Sequence, residues 1–163
     1  MMSNLTTDHI WEVLDEVKDP EIPVVSVVEM GLIRSVGIEG EKVIVSFTPT
    51  FAGCPAFQVM QDDIQKHLKE AGAKDVEVKI TYHPPWRSDW ILTEGRRKLK
   101  EFGLAPPPVR GQKSVEEALS MPVICPYCES ENTTLKNSFG PTLCRSIYYC
   151  ENCQQPFEQF KPI

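Results

Sequence analysis

Cys125-Pro126-Tyr127-Cys128 and Cys150-Glu151-Asn152-Cys153 are two Cys-x-x-Cys units separated by 21 residues. Each unit lets two thiolates reach one ion from a tight turn, and two units complete a tetrahedron with no position left for water or substrate. A closed set of this kind is structural. Five of the six cysteines fall at or beyond Cys125, and in a reducing compartment such clustering points to a metal rather than to disulfides. The expected ion is zinc, with mononuclear iron in the same geometry as the alternative. Residues 121–163 are too few to fold by apolar burial alone, whereas structural zinc supplies an apparent ~10–16 kcal/mol of folding free energy. The remaining cysteine of this region, Cys144, reads as a small buried residue of the ribbon hairpin, the sharper alternative being a spare thiolate near the site.

The sixth cysteine stands apart, in Gly53-Cys54-Pro55. Proline is favoured in the first turn of a helix, where its missing N–H costs nothing, so Cys54 is expected near an N-cap. Unpaired N–H groups and the helix dipole there would stabilise a thiolate and lower its pKa. Thr48 and Thr50 are expected to donate hydroxyl hydrogen bonds to the sulfur, and Gly53 lets the chain bend. The plain alternative is a small residue buried at a helix entry. A thiol hydrolase would also require a base, and none of His9, His67 and His83 is placed next to Cys54 by sequence. An enzyme is therefore not expected.

The elements that must carry these groups follow from periodicity. Ile10, Val13, Leu14 and Val17 recur at helical spacing after Thr7 and Asp8, and Asp19-Pro20 stops that helix. Val24 to Val28 and Leu32 to Ile38 are β-branched runs; the Glu39-Gly40-Glu41 turn then leads into Val43 to Thr48, which reads as a hairpin. Phe57, Met60, Ile64 and Leu68 define the helix that Cys54 would open, ending at Gly72. A strand over 76–82 follows, and Pro84-Pro85-Trp86 turns the chain into a helix from about Ser88 to Phe102. The reading is a small α+β domain with a three-stranded sheet and flanking helices over residues 1–105. A Pro-rich linker follows over 106–120, and a four-cysteine zinc ribbon over 121–163.

Composition removes whole classes. The 163 residues carry 17 Lys+Arg and 23 Asp+Glu, a net charge of -6, and the ribbon itself has one more acid than base. That disfavours nucleic acid, whose affinity comes mostly from cations displacing counterions. The ribbon's Phe139, Tyr148, Tyr149, Phe157 and Phe160 read as its small core or a docking face for another protein. No apolar run approaches the ~20 residues of a membrane span, and residues 1–8 lack the basic and apolar regions of an export signal, so a cytoplasmic protein is expected. There is no pair of Glu-x-x-His units of the kind di-iron bundles use.

Asp19-Pro20-Glu21-Ile22-Pro23, Val28-Glu29-Met30-Gly31-Leu32-Ile33, Thr48-Pro49-Thr50 with Gly53-Cys54-Pro55, and Pro84-Pro85-Trp86 together resemble the small α+β family of the iron–sulfur assembly factor SufT and the eukaryotic cytosolic iron–sulfur targeting subunits. Leu104-Ala105-Pro106-Pro107, the spacing of Cys144 before Cys150, and the final Pro156-Phe157-Glu158-Gln159-Phe160-Lys161 narrow this. They resemble the PaaD family of D subunits encoded with the bacterial phenylacetyl-CoA ring epoxidase, over nearly the whole chain.

The resemblance implies a non-catalytic accessory role in phenylacetate degradation, maturing the iron–sulfur cluster of the epoxidase reductase subunit; a structural subunit of the oxygenase is the alternative. It places Cys54 on the family's reactive cysteine, with transient iron or an iron–sulfur cluster as cargo, and Asp19, Glu21 and Glu29 on acidic motif positions. The other epoxidase subunits are implied partners. A single thiolate cannot satisfy a cluster that takes four ligands, so a homodimer or the client must supply the rest. Glu129 and Gln154 stand where ribbons often carry glycine, which predicts a less regular knuckle.

Overall fold

The computed structural model describes residues 5–163. The export-signal reading falls partly on residues 1–4, which lie outside the described residues. The chain divides into two compact units, Met1–Trp86 and Arg87–Ile163.

In the first unit, helix α1 (Thr7–Asp15) is capped one residue earlier than expected: Thr6, not Thr7 or Asp8, is the N-cap, its hydroxyl accepting from the His9 N–H at 3.2 Å. Its apolar stripe Ile10, Val13 and Leu14 is buried. Strands β1 (Ile33–Glu39) and β2 (Lys42–Phe47) form the expected antiparallel hairpin, and β2 buries Val43, Val45 and Phe47 on one face. Helix α2 (Phe57–Glu70) crosses over and buries Met60, Ile64 and Leu68 before β3 (Asp75–Ile80) pairs parallel with β2. The sheet order is β1-β2-β3. Phe57 at the head of α2 packs on Phe47 at the end of β2, ring centroids 5.6 Å apart.

The run Val24 to Val28 is not a strand. Residues 17–32 form a chain of turns fastened by backbone hydrogen bonds, Asp19 N–H to Val25 at 3.0 Å, Val27 N–H to Val17 at 2.9 Å and Leu32 N–H to Val27 at 3.0 Å. Lys18 and Ser26 form an isolated antiparallel bridge. Ile22, Val25, Val27, Met30 and Leu32 are buried all the same. A buried loop must satisfy its polar backbone locally, and side chains assist: Ser26 donates to Asp15 at 2.5 Å and accepts from the Glu29 N–H at 3.0 Å. The motif Pro84-Pro85-Trp86 closes the loop, because buried Trp86 donates its indole N–H to the Met30 carbonyl at 2.9 Å.

The second unit begins well before the expected boundary at 105. The predicted helix from Ser88 to Phe102 is two pieces, a 3-10 turn (Ser88–Trp90) and α3 (Thr93–Glu101). The short strand β4 (Leu104–Ala105) pairs parallel with β7 (Pro156–Phe160), so this stretch belongs with the ribbon. With β5 (Thr133–Asn137) and β6 (Arg145–Cys150), the sheet order is β4-β7-β6-β5.

Residues 106–120, read from sequence as a linker, are anchored within this unit. Both Asp89 carboxylate oxygens accept backbone N–H groups, from Arg110 at 2.7 Å and Gly111 at 2.8 Å, and Arg96 donates to the Pro107 carbonyl. Helix α4 (Val115–Leu119) follows, with Ser114 and Glu117 forming a reciprocal capping box. Ala105, Val123, Cys125, Tyr148, Cys150 and Phe157 form one buried cluster, with Cys128 and Cys153 packed against it.

Candidate functional site

The four knuckle cysteines converge. Their Sγ atoms all lie within 4.8 Å of one another, with Cys125 to Cys153 at 3.7 Å and Cys128 to Cys150 at 3.5 Å. Metal–sulfur bonds of ~2.3 Å in a tetrahedron separate the sulfurs by ~3.8 Å, so the donor set fits a zinc-sized ion. Backbone geometry holds each knuckle in the same way. The Glu129 N–H bonds the Cys125 carbonyl and the Gln154 N–H bonds the Cys150 carbonyl, both at 2.9 Å, while the Cys125 and Cys150 N–H groups bond Ser130 and Gln155, both at 3.0 Å.

Glu129 (φ 64°) and Gln154 (φ 59°) are left-handed. The two knuckles are therefore regular, against the expectation, and carry the steric cost that glycine would avoid. The thiols hold their protons unevenly. Hydrogen bonds from the Asn152 amide and the Ser130 backbone pull Cys128 down to about 6, and burial with neighbouring thiols pushes Cys153 up to about 12. A bound cation overrides this by making all four thiolates. Cys144 is not among the four; it is buried, its sulfur 3.0 Å from the Thr142 hydroxyl.

Cys54 occupies the loop from β2 to α2, at the carboxyl end of the parallel pair β2 and β3. Open α/β sheets commonly bind ligands beyond that end. The helix proper starts later than Pro55 suggested. Ala56 is its N-cap, and Cys54 contributes its carbonyl to the Phe57 N–H at 3.1 Å. Gly53 at φ 84° makes the bend, and a Cβ there would meet nothing within 4 Å.

The Cys54 sulfur receives hydrogen bonds from the Ala56 backbone and the Thr50 side chain, both favouring the thiolate as expected. They are outweighed. Burial raises the Cys54 pKa most, and the carboxylates of Glu21 and Asp19 add to it, so the net shift is upward and the expected low-pKa thiolate is not what the fold provides. This brings Asp19, Glu21, Thr50 and Cys54 into one electrostatic neighbourhood, although 35 residues of chain separate Asp19 from Cys54. One Asp19 oxygen also accepts the Glu21 N–H at 2.8 Å, which fixes the acidic turn.

The raised pKa has a measurable consequence. Thiolate is the alkylating species, so below its pKa the Cys54 reaction with iodoacetamide should speed about tenfold per pH unit. Replacing Glu21→Gln removes a repelling charge and should accelerate alkylation severalfold at neutral pH; mass-resolved alkylation kinetics from pH 6 to 10 measure both.

Thr48 does not do what the sequence suggested. Its side chain is buried, and its hydroxyl has no hydrogen-bond partner among the described residues. An unsatisfied buried hydroxyl costs about 1–3 kcal/mol, so Thr48→Val, of the same shape, should be neutral or stabilising by up to about that amount in urea unfolding. Nor do the histidines reach Cys54. His9 contacts Glu12 at 3.4 Å, His67 contacts the Asp63 carbonyl within α2 at 2.8 Å, and the His83 backbone bonds Thr81. Glu29 is buried, with one carboxylate oxygen 3.4 Å from the Ser26 N–H and 4.0 Å from Lys18.

With this geometry the chain can be set beside known proteins. Residues 7–80 match the family of iron–sulfur cluster assembly proteins, and residues 109–161 match the PaaD zinc beta ribbon domain. An Escherichia coli (strain K12) protein, named as the D subunit of a "Putative 1,2-phenylacetyl-CoA epoxidase", is 38% identical over 155 residues, covering 95% of this chain and 92% of that one. The chain belongs to the PaaD family. Within it, the assembly-type unit alone has wider relatives. A Bacillus subtilis (strain 168) protein named Fe-S protein maturation auxiliary factor YitW is 32% identical over 90 residues, 54% of this chain and 87% of that one.

A solved structure of a conserved hypothetical protein from Thermotoga maritima superposes with a TM-score of 0.53 at 30% identity, covering 61% of this chain and 98% of the other. This PaaD-family chain is thus an α+β assembly-type unit joined to a metal-binding ribbon. No helix among the described residues is long and apolar enough to cross a membrane.

Proposed function

We propose that this PaaD-family chain is a non-catalytic accessory protein of phenylacetate degradation that helps mature the iron–sulfur cluster of the epoxidase reductase subunit, with zinc holding its ribbon. The observation that carries the reading is Cys54 set among Asp19, Glu21 and Thr50 at the carboxyl end of a parallel strand pair. Surroundings that disfavour a bare thiolate favour a thiolate bound to a cation. Two carboxylates repel a lone negative sulfur but attract iron, whose arrival releases the thiol proton.

Such a site keeps its sulfur protonated and sheltered until cargo arrives. A single sulfur leaves the cargo's other ligands to the client or to a second copy of the chain, which favours transfer over storage. Asp19 and Glu21 supply charge, Thr50 orients the sulfur, and the ribbon docks the client.

The test is Cys54→Ser in cells that make the epoxidase. Zinc content and fold should be unchanged, while the purified reductase should lose most of its iron and acid-labile sulfide. A fully loaded reductase would overturn the maturation role. It would leave the second reading, a structural subunit of the oxygenase, which the name of the Escherichia coli relative favours; that reading expects stable co-purification and indifference to Cys54.

A further inference from the structure

The second unit contains an apolar trough of about 380 Å³ that lies beside the four-sulfur cluster. Only Cys125 of the four metal cysteines borders it. Pro106, Pro107, Val109 and Ile124 line it, and so do Gln159 and two cations, Arg96 and Lys100. Val109 is 64% exposed and Ile124 51%, an unusual display for two β-branched aliphatics lining one trough.

The charge at this trough is out of balance. Arg96 on α3 is half-buried, and burial pulls its pKa down. Its hydrogen bonds go to neutral carbonyls, of Ser88 at 2.9 Å and of Pro107, and among the described residues it makes no ion pair. The nearest carboxylate influence is Asp89, whose oxygens are already engaged by the Arg110 and Gly111 N–H groups and by Arg87 at 3.2 Å.

The exposed cations of the same helix are treated otherwise. Arg97 pairs with Glu94 and Glu101, and Lys100, which also lines the trough, pairs with Glu129, leaving Arg96 as the lining cation without a carboxylate partner among the described residues. Carboxylates are thus supplied to the cations that need them least. Burying a charge without a counter-charge is costly. Nearby in the lining, Gln159 is 2% exposed and its amide oxygen has no hydrogen-bond partner among the described residues.

We propose that this trough is a docking site for a segment of a partner protein in which a large apolar side chain lies within two residues of a carboxylate. The carboxylate would be an Asp or Glu side chain or the partner's own terminal carboxylate. The apolar side chain fills the proline-walled space, the carboxylate meets Arg96, and the peptide backbone brings the N–H groups that Gln159 lacks. The segment belongs to the client or another epoxidase subunit, so the inference rests on the accessory reading above and names the chemistry by which the ribbon recognises its partner.

The test uses the full chain with the photocrosslinking residue p-benzoylphenylalanine at Val109, co-expressed with the other epoxidase subunits. Crosslinked peptides, sequenced by mass spectrometry, should come from an epoxidase subunit and carry an acidic or C-terminal carboxylate within two residues of a large apolar side chain. Two further variants alter the exposed wall without touching Arg96. Ile124→Glu should lower the crosslink yield at least about tenfold, whereas Ile124→Lys, which loses the same apolar surface, should keep it.

Equal yields for the two, crosslinks to segments without a carboxylate, or no crosslink to any epoxidase subunit would each overturn the proposal. Reductase iron content, measured in the same cells, separates the two ideas. Iron that depends on Cys54 with no charge-selective crosslink sinks the trough alone, and a selective crosslink with Cys54-independent iron sinks the maturation role alone.

Discussion

Removing the ribbon metal with a strong chelator, or replacing Cys150→Ser, should unfold the second unit while leaving the first folded. Cys125 and Cys150 are fully buried members of the small cluster beneath the knuckles, and the other two ligands pack against it. Without the ion, four thiols stand within 4.8 Å of one another with protons to accommodate, in a cluster otherwise built from Ala105, Val123, Tyr148 and Phe157. Structural zinc contributes an apparent ~10–16 kcal/mol at neutral pH, more than so small a cluster supplies.

The loss should extend beyond the knuckles. β6 ends in Cys150, β7 pairs with β6, and β4 pairs with β7, so Leu104 and Ala105 should lose protection along with the ribbon. Hydrogen exchange resolved by residue is the measurement. Rapid exchange through residues 104–160 with slow exchange retained in β2 and α2 is the expected pattern, and retained protection in β6 would contradict it. Acid should act in the same direction, because protons compete with the metal for thiolates.

Trp86→Ala should cost the first unit about 3–5 kcal/mol, a large part of a typical domain's stability. Trp86 is 4% exposed, and its indole N–H satisfies the Met30 carbonyl, 56 residues upstream. Truncation removes both the buried ring and the only donor shown for that carbonyl among the described residues, in the loop that carries Asp19 and Glu21. Trp86→Phe separates the two losses. It keeps most of the apolar contact and forfeits the hydrogen bond, for an expected cost of about 1–3 kcal/mol. Urea unfolding measures both, and alkylation of Cys54 should accelerate in Trp86→Ala as the acidic loop loosens.

What could be read from the sequence divides along local and non-local lines. The ribbon ligands were legible because Cys-x-x-Cys spacing is itself the geometry of a knuckle. The hairpin, α2 and β3 were legible because alternation and helical spacing repeat within each element. Val24 to Val28 misled because a β-branched run looks the same whether it pairs in a sheet or is buried in turns. Only the contacts of Asp19, Ser26 and Trp86 decide between these. The boundary near 105 misled because three consecutive prolines read as a break, whereas Asp89 and Arg96 hold that stretch to the unit from upstream. The pKa of Cys54 was read from Pro55 and the helix start, which act locally; the opposing carboxylates arrive from 35 residues earlier through the fold. The pairing state of Arg96 has no sequence signature, since neighbouring Arg97 is chemically identical and fully paired.

The parallel pairing of β4 with β7 also bears on how the polypeptide matures as it leaves the ribosome. Leu104 finds its strand partner at Glu158, more than fifty residues later, with the remaining strands made in between. A vectorially synthesised chain can complete β1, β2, α2 and β3 early. The second half cannot close until its last strand has emerged, so for that interval its thiols are open to whichever ion or chaperone reaches them first.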